Sequence, residues 1–149
     1  MKENLKSIAP KKVIFGYWIG SRGAMRGNPT RYLLEYANVD YCEKQYVPDS
    51  GEWLTTKSSM DLDFPNLPYL IDGDFKLTET IAIQMYIAQK WKPELLGSTP
   101  QEHAKIYSIY LMVHDIFLAT IKSIMKLDDK FWAANAIQEK IRPIVTHLK

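Results

Sequence analysis

Residues 61–80, DLDFPNLPYLIDGDFKLTET, constrain the fold of this chain more than any other stretch, because a proline-set turn, a hairpin and a helix start are compressed into it. Leu67 and Pro68 precede a short apolar run, residues 69–71. Asp72, Gly73 and Asp74 then supply the turn residues of a tight β-hairpin whose second strand is residues 75–77. Thr78 stands before Glu79, Thr80 and an apolar-periodic run over residues 81–91, which predicts a helix with an oxygen-bearing cap and an acid in its first turn. Unpaired backbone N–H groups at such an end attract an anionic ligand. The same pattern also suits a plain ββα piece of core.

Upstream, KVIFGYW at residues 12–18 is β-branched and aromatic and predicts a buried first strand. The glycine- and arginine-rich residues 20–27 read as a loop, and Asn28 with Pro29 as the cap and first turn of a helix over residues 30–37. Residues 40–47 have strand character, ended by Pro48, Asp49, Ser50 and Gly51, and residues 52–59 suit a short helix or loop. A strand–helix–strand order implies a parallel pair joined by a right-handed crossover. The whole order, βαβ-α-ββα, describes a thioredoxin-like unit over residues 1–91.

Residues 92–100 hold two prolines, a glycine and polar residues, and read as a linker. Strand signals then vanish. Over residues 101–126, Ile106, Ile109, Tyr110, Val113, Phe117, Thr120 or Ile121, and Ile124 recur at helical steps, with a second apolar row at Tyr107, Leu111, Leu118 and Met125. This long helix therefore wants partners on two sides. Asp128 or Asp129 can cap a last helix carrying Phe131, Ala134, Ile137, Ile141, Val145 and Leu148, which Pro143 should kink or end. The expected architecture is α/β plus all-α, with a partial helical domain over residues 101–149.

A length of 149 residues allows a core that buries roughly two-thirds of the unfolded surface. The net charge is only +2 and the basic residues are spread out, so no basic stripe argues for nucleic acid. Cys42 is the sole cysteine, which excludes an intrachain disulfide and a cysteine-cluster zinc site; His103, His114 and His147 are scattered, so no metal is expected. The basic residues 1–12 lack an apolar signal core, and no later run is read as a membrane span. A reducing cytoplasm is the expected location.

Several strings together resemble cytosolic glutathione transferases, most closely the mu class with some sigma-like features. They are GYW at residues 16–18, RYLLEY at 31–36, EKQY at 43–46, WLTTK at 53–57, DFPNLPYLIDGDFKLTET at 63–80 and AIQMYIAQK at 82–90. The resemblance spans residues 13–127 and implies a glutathione site on the first domain, a helical domain walling a pocket for a hydrophobic electrophile, and a homodimer. Glutathione would be a co-substrate.

Residue by residue, the resemblance makes Tyr17 catalytic, its hydroxyl donating to the glutathione sulfur and favouring thiolate, the nucleophilic form. Trp18 is similar to a neighbouring contact residue. Leu67 matches the position whose backbone pairs with the cysteinyl part of glutathione, which needs the Pro68 peptide to be cis. Glu79 and Thr80 match the pair that holds the γ-glutamyl end, and Trp53, Lys57 and Asn66 match the receivers of the glycyl end. Asp115 matches an acid that reaches the glutathione of the other subunit; nine residues from Ile106 at about 100° each set it opposite the main apolar stripe.

The chain departs from the mu pattern at Ser50, where an arginine is usual, at Met125, where a second tyrosine is usual, and in a loop about three residues longer after Tyr17. It also lacks the family's later helices. Conjugation of glutathione to electrophiles is the leading expectation. The alternatives are a weakly catalytic binding or assembly module and a glutathione-dependent isomerase.

Overall fold

The computed structural model of the chain describes residues 12–126. In order these form β1 (Val13–Trp18), α1 (Gly20–Tyr36), β2 (Tyr41–Tyr46), α2 (Glu52–Thr56), a 3-10 turn (Lys57–Ser59), β3 (Tyr69–Asp72), β4 (Phe75–Thr78), α3 (Thr80–Trp91), a second 3-10 turn (Pro93–Leu96) and α4 (Pro100–Lys126). The chain divides into two compact units after Leu95. The last helix expected from residue 128 onward lies outside the described residues.

The first unit is a mixed four-stranded sheet of order β2-β1-β3-β4, a thioredoxin-like arrangement. β1 and β2 run parallel, as the strand–helix–strand order requires, while β3 is antiparallel to both β1 and β4. Phe15, Leu34, Leu70, Ile83 and Ile87 are fully buried and form the centre of its core. Since side chains alternate along a strand, Phe15, Tyr17, Leu70 and Asp72 share the sheet face that carries α1 and α3. Ile14, Gly16, Trp18 and Tyr69 belong to the opposite one.

Two polar contacts fix the helices on their face. The buried Gln84 Nε2 of α3 donates to the buried Thr30 Oγ1 of α1 at 3.0 Å, so neither polar group is left unsatisfied in the core. Arg31 of α1 donates from Nε to both carboxylate oxygens of Glu43 on β2, at 3.0 and 3.1 Å, and its guanidinium lies 5.8 Å from the centre of the Phe15 ring.

The structure corrects two helix starts. α1 begins at Gly20 rather than at residue 30, and Pro29 lies inside it. Asn28 is consequently not a cap; its Oδ1 accepts from Arg31 Nη1 at 2.9 Å. Proline lacks the N–H that would reach the carbonyl of residue 25, so α1 gives up one ladder bond there. At α3 the cap position is Glu79, not Thr78, because Thr78 is taken into the β3–β4 ladder opposite Tyr69.

In the second unit α4 begins with a reciprocal cap. The N–H groups of Ser98 and Thr99 donate to Glu102 Oε2 at 2.7 and 3.1 Å, and the Glu102 N–H donates to Thr99 Oγ1 at 3.1 Å. These bonds to the ionised form hold the Glu102 carboxyl below its ordinary range. Within residues 100–121 an 18-residue stretch of this helix reaches a mean hydropathy of 1.3, enough by length and composition alone for a membrane span.

A further cluster ties the hairpin to α3. Tyr86 Oη donates to Asp72 Oδ2 at 2.6 Å, and Lys90 pairs with the same oxygen. Burial pushes the Asp72 carboxyl up, but the bonds from Lys90 and Tyr86 outweigh it and hold it below its ordinary 3.8. A carboxylate depressed in the folded state stabilises fully above its unfolded pKa, and that contribution is lost as pH falls through the folded one. Urea midpoints of the wild type and Asp72→Asn should therefore differ at pH 7 and converge as pH is lowered below 3.8. A gap that stays constant down to pH 2.5, or about that value, would count against the cluster.

Candidate functional site

The site is laid out by strand register. Lys44, Gly16, Tyr69 and Thr78 pair in one row across all four strands. The residues that follow or precede this row, Tyr17 and Trp18, Leu67 and Pro68, and Glu79 and Thr80, therefore come out at the same end of the sheet. Six of the ten residues expected to act are thereby gathered. The Leu67–Pro68 peptide is cis.

Close approach makes the row possible. A Cβ on Gly16 would fall 2.1 Å from the Tyr69 ring, so glycine is required where the aromatic crosses β1. Tyr69 in turn stacks on Trp53 with ring centres 6.1 Å apart, while its hydroxyl lies 3.1 Å from that of Tyr46. Burial first, and the Tyr46 hydrogen bond second, push the Tyr69 phenol well above its ordinary value. Trp53 of α2 is thus buried against Tyr69, the residue after the cis-proline, with Lys57 half-buried at the following turn.

Tyr17 faces the other way, toward α1. It is only 5% exposed, and its ring lies nearly parallel to Phe15 at 6.3 Å. Burial raises its phenol pKa, partly offset by the Arg26 charge, a hydrogen bond with the Arg26 backbone and the Arg31 charge. The hydroxyl therefore stays protonated at neutral pH and can donate to an anion. Trp18, half-buried, borders a shallow cleft of about 330 Å³ with Asn28, Arg31 and Glu43.

At the far side of the row, Glu79 has φ 73° and ψ 121°, a backbone conformation that is costly without glycine and that places its side chain at the start of α3. No side chain caps this helix start, and Thr80, its first residue, is buried. Asn66 joins the two segments. Its Nδ2 donates to Glu79 Oε1 at 3.3 Å, and its Oδ1 accepts the Leu67 N–H at 2.9 Å. A cleft of about 200 Å³ opens beside Glu79, between Phe64, Lys76, Leu77 and Ala82. Asp115 belongs to the second unit and is exposed on α4, so it is not among the residues that the sheet gathers.

The arrangement offers a protonated phenol, an outward loop backbone, a carboxylate and an uncapped helix start along one sheet end. That set suits an extended ligand carrying an anion, a peptide and an ammonium. Among the described residues no group of three histidine, cysteine or acidic side chains could hold a metal. Sequence reasoning passed over Gly16, Gly27 and Tyr69. A glycine inside a strand beside bulky neighbours was the one available signal.

A Cβ on Gly27 would lie 2.6 Å from Tyr17 Cδ1 and 2.8 Å from Arg31 Nη1. Gly27→Ala should thus displace the Tyr17 ring and destabilise the chain by about 1–3 kcal/mol, read from urea unfolding, with a changed near-ultraviolet tyrosine signal. An unchanged signal and midpoint would mean that α1 does not press on Tyr17.

Comparison with known proteins adds the following. Residues 15–89 match the N-terminal domain of glutathione S-transferase. A glutathione S-transferase of Dermatophagoides pteronyssinus is 43% identical over 115 residues, covering 73% of this chain and 50% of that protein. A class-mu 26 kDa isozyme of Schistosoma mansoni is 44% identical over 110 residues, covering 73% and 52%. The crystal structure of the glutathione S-transferase Blo t 8 superposes with a TM-score of 0.65 at 30% identity, over 91% of this chain and 58% of that one. The chain spans about half the length of these relatives.

Proposed function

The chain belongs to the glutathione S-transferase family, and from that membership we propose that it binds glutathione along the gathered sheet end and transfers its thiolate to hydrophobic electrophiles. The observation that carries this reading is the shared register of β1, β3 and β4, which delivers Tyr17, Leu67 and Glu79 to one edge at strand spacing. Glutathione is extended, with a thiol in the middle and opposite charges at its γ-glutamyl end. Its spacing is that of a short peptide.

In this reading the Leu67 backbone pairs with the cysteinyl part, presented by the cis Pro68 bond. Glu79 accepts from the ligand ammonium, and the α3 start at Thr80 receives the adjoining carboxylate, where unpaired N–H groups and the helix dipole favour an anion. Lys57 and Trp53 serve the glycyl end, Asn66 borders the same ligand, and Trp18 lines the neighbouring surface. Tyr17 donates its hydroxyl to the sulfur. A hydrogen bond made only to the thiolate lowers the thiol pKa and supplies more nucleophile at neutral pH.

The reading extends to a homodimer in which Asp115 reaches across to the second glutathione, and to a reducing, cytoplasmic setting, which suits a chain whose one cysteine, Cys42, is exposed and free. No metal takes part in the step. A non-catalytic glutathione-binding module is the second reading, favoured by the 5% exposure of Tyr17.

Tyr17→Phe separates the two. Glutathione binding, followed by calorimetry, should persist, while conjugation of a generic aryl halide should fall roughly ten- to a hundredfold, the worth of one hydrogen bond to a charged group. Binding without turnover in either protein would favour the module. Equal turnover in both would remove Tyr17 from the mechanism.

A further inference from the structure

Asn66 is exposed, yet both ends of its amide are engaged. The two bonds are mutually informative. The Leu67 N–H can only be accepted by the amide oxygen, so that bond fixes which way the group is turned, and the NH2 end is presented to Glu79. Glu79 needs such a partner. Its positive φ determines where the side chain leaves the backbone but not where the carboxylate ends, since a glutamate has further rotatable bonds beyond Cβ.

Resting on the glutathione reading, we propose that Asn66 is a positioning residue that holds the Glu79 carboxylate toward the ligand's α-ammonium, acting on the γ-glutamyl end rather than on the glycyl end. The ligand's cysteinyl backbone can take over the Leu67 N–H without disturbing the bond from Asn66 Nδ2 to Glu79. Carboxylate oxygens accept several donors, so Glu79 can hold Asn66 and the ammonium together. Orientation before binding spares the ligand the entropy of ordering that side chain.

The test pairs a protein change with a ligand change. Dissociation constants are measured by calorimetry for glutathione and for its deaminated analogue, glutaryl-cysteinyl-glycine, with the wild type, Asn66→Ala, Glu79→Ala and the double variant. Asn66→Ala should weaken glutathione about three- to tenfold, the range of one net hydrogen bond, and leave the analogue's affinity unchanged. Adding Asn66→Ala to Glu79→Ala should cost nothing more. The analogue's retained affinity also reports that the variants are folded.

Equal weakening of both ligands would overturn the proposal, because it would place Asn66 on the glycyl end or in the scaffold. Unchanged glutathione binding by Asn66→Ala would overturn it as well. A wild-type chain that binds neither ligand is a different result, one that removes the glutathione reading itself and this inference with it.

Discussion

The contact between Tyr69 and Gly16 is the one on which the rest of the first unit depends. The aromatic ring of β3 lies where β1 has no side chain, so the two strands pair with a bulky residue pressed onto the sheet. From that ring the packing runs outward through Trp53 to α2 and through the Tyr46 hydroxyl to β2. It also sets the axial position of β3 against β1. A slip of one residue would turn Tyr69 to the other face and send Leu67 and Glu79 away from Tyr17.

Charge is distributed in keeping with this layout. Arg31 and Glu43 form a largely buried pair between α1 and β2, and the mostly buried Asp72 of the hairpin pairs with the exposed Lys90 of α3. Both lie on the helix-covered face, where Tyr17 also points. The carboxylate of Glu79 stands instead at the sheet end, exposed and carried on strained backbone. A structural acid would gain little from such a position, since an exposed ion pair contributes almost nothing to stability. Strained backbone at this outward carboxylate accords with the proposed ligand contact, and Asn38, Asp49 and Asp61 share the positive φ without lying at the sheet end.

Much of this was legible in the amino-acid order, for identifiable reasons. Strands β1, β3 and β4 announce themselves by β-branched and aromatic runs bounded by turn residues, and the hairpin at Gly73 and Asp74 is a short-range signal that needs no tertiary information. The beginning of α1 was not legible. Glycines at 20, 23 and 27 lower helix propensity by about 1 kcal/mol each, and only the packing of Gly27 against Tyr17 reveals why one of them belongs in a helix. Thr78 has the chemistry of a cap, but ladder pairing with Tyr69 claims it first. The Thr99–Glu102 box was readable in principle and was passed over because it lies in a stretch whose prolines and glycine suggest a linker. The resemblance named the residues around the ligand, whereas the bond from Asn66 to Glu79 required coordinates.

The strand order has a consequence for how the protein is made. β1 leaves the ribosome before the other described strands, yet it ends in the interior of the sheet with a neighbour on each side. Its second neighbour, β3, begins about 50 residues after β1 ends, an interval of several seconds at roughly 5–20 residues per second. During that time β1 presents an open edge on the side that β3 will take, the kind of surface on which strands of neighbouring nascent chains pair. Synthesis of residues 69–72 closes that edge in the same event that brings Leu67 beside Tyr17. The moment at which the nascent chain is protected against mispairing is thus also the moment at which its gathered sheet end first exists.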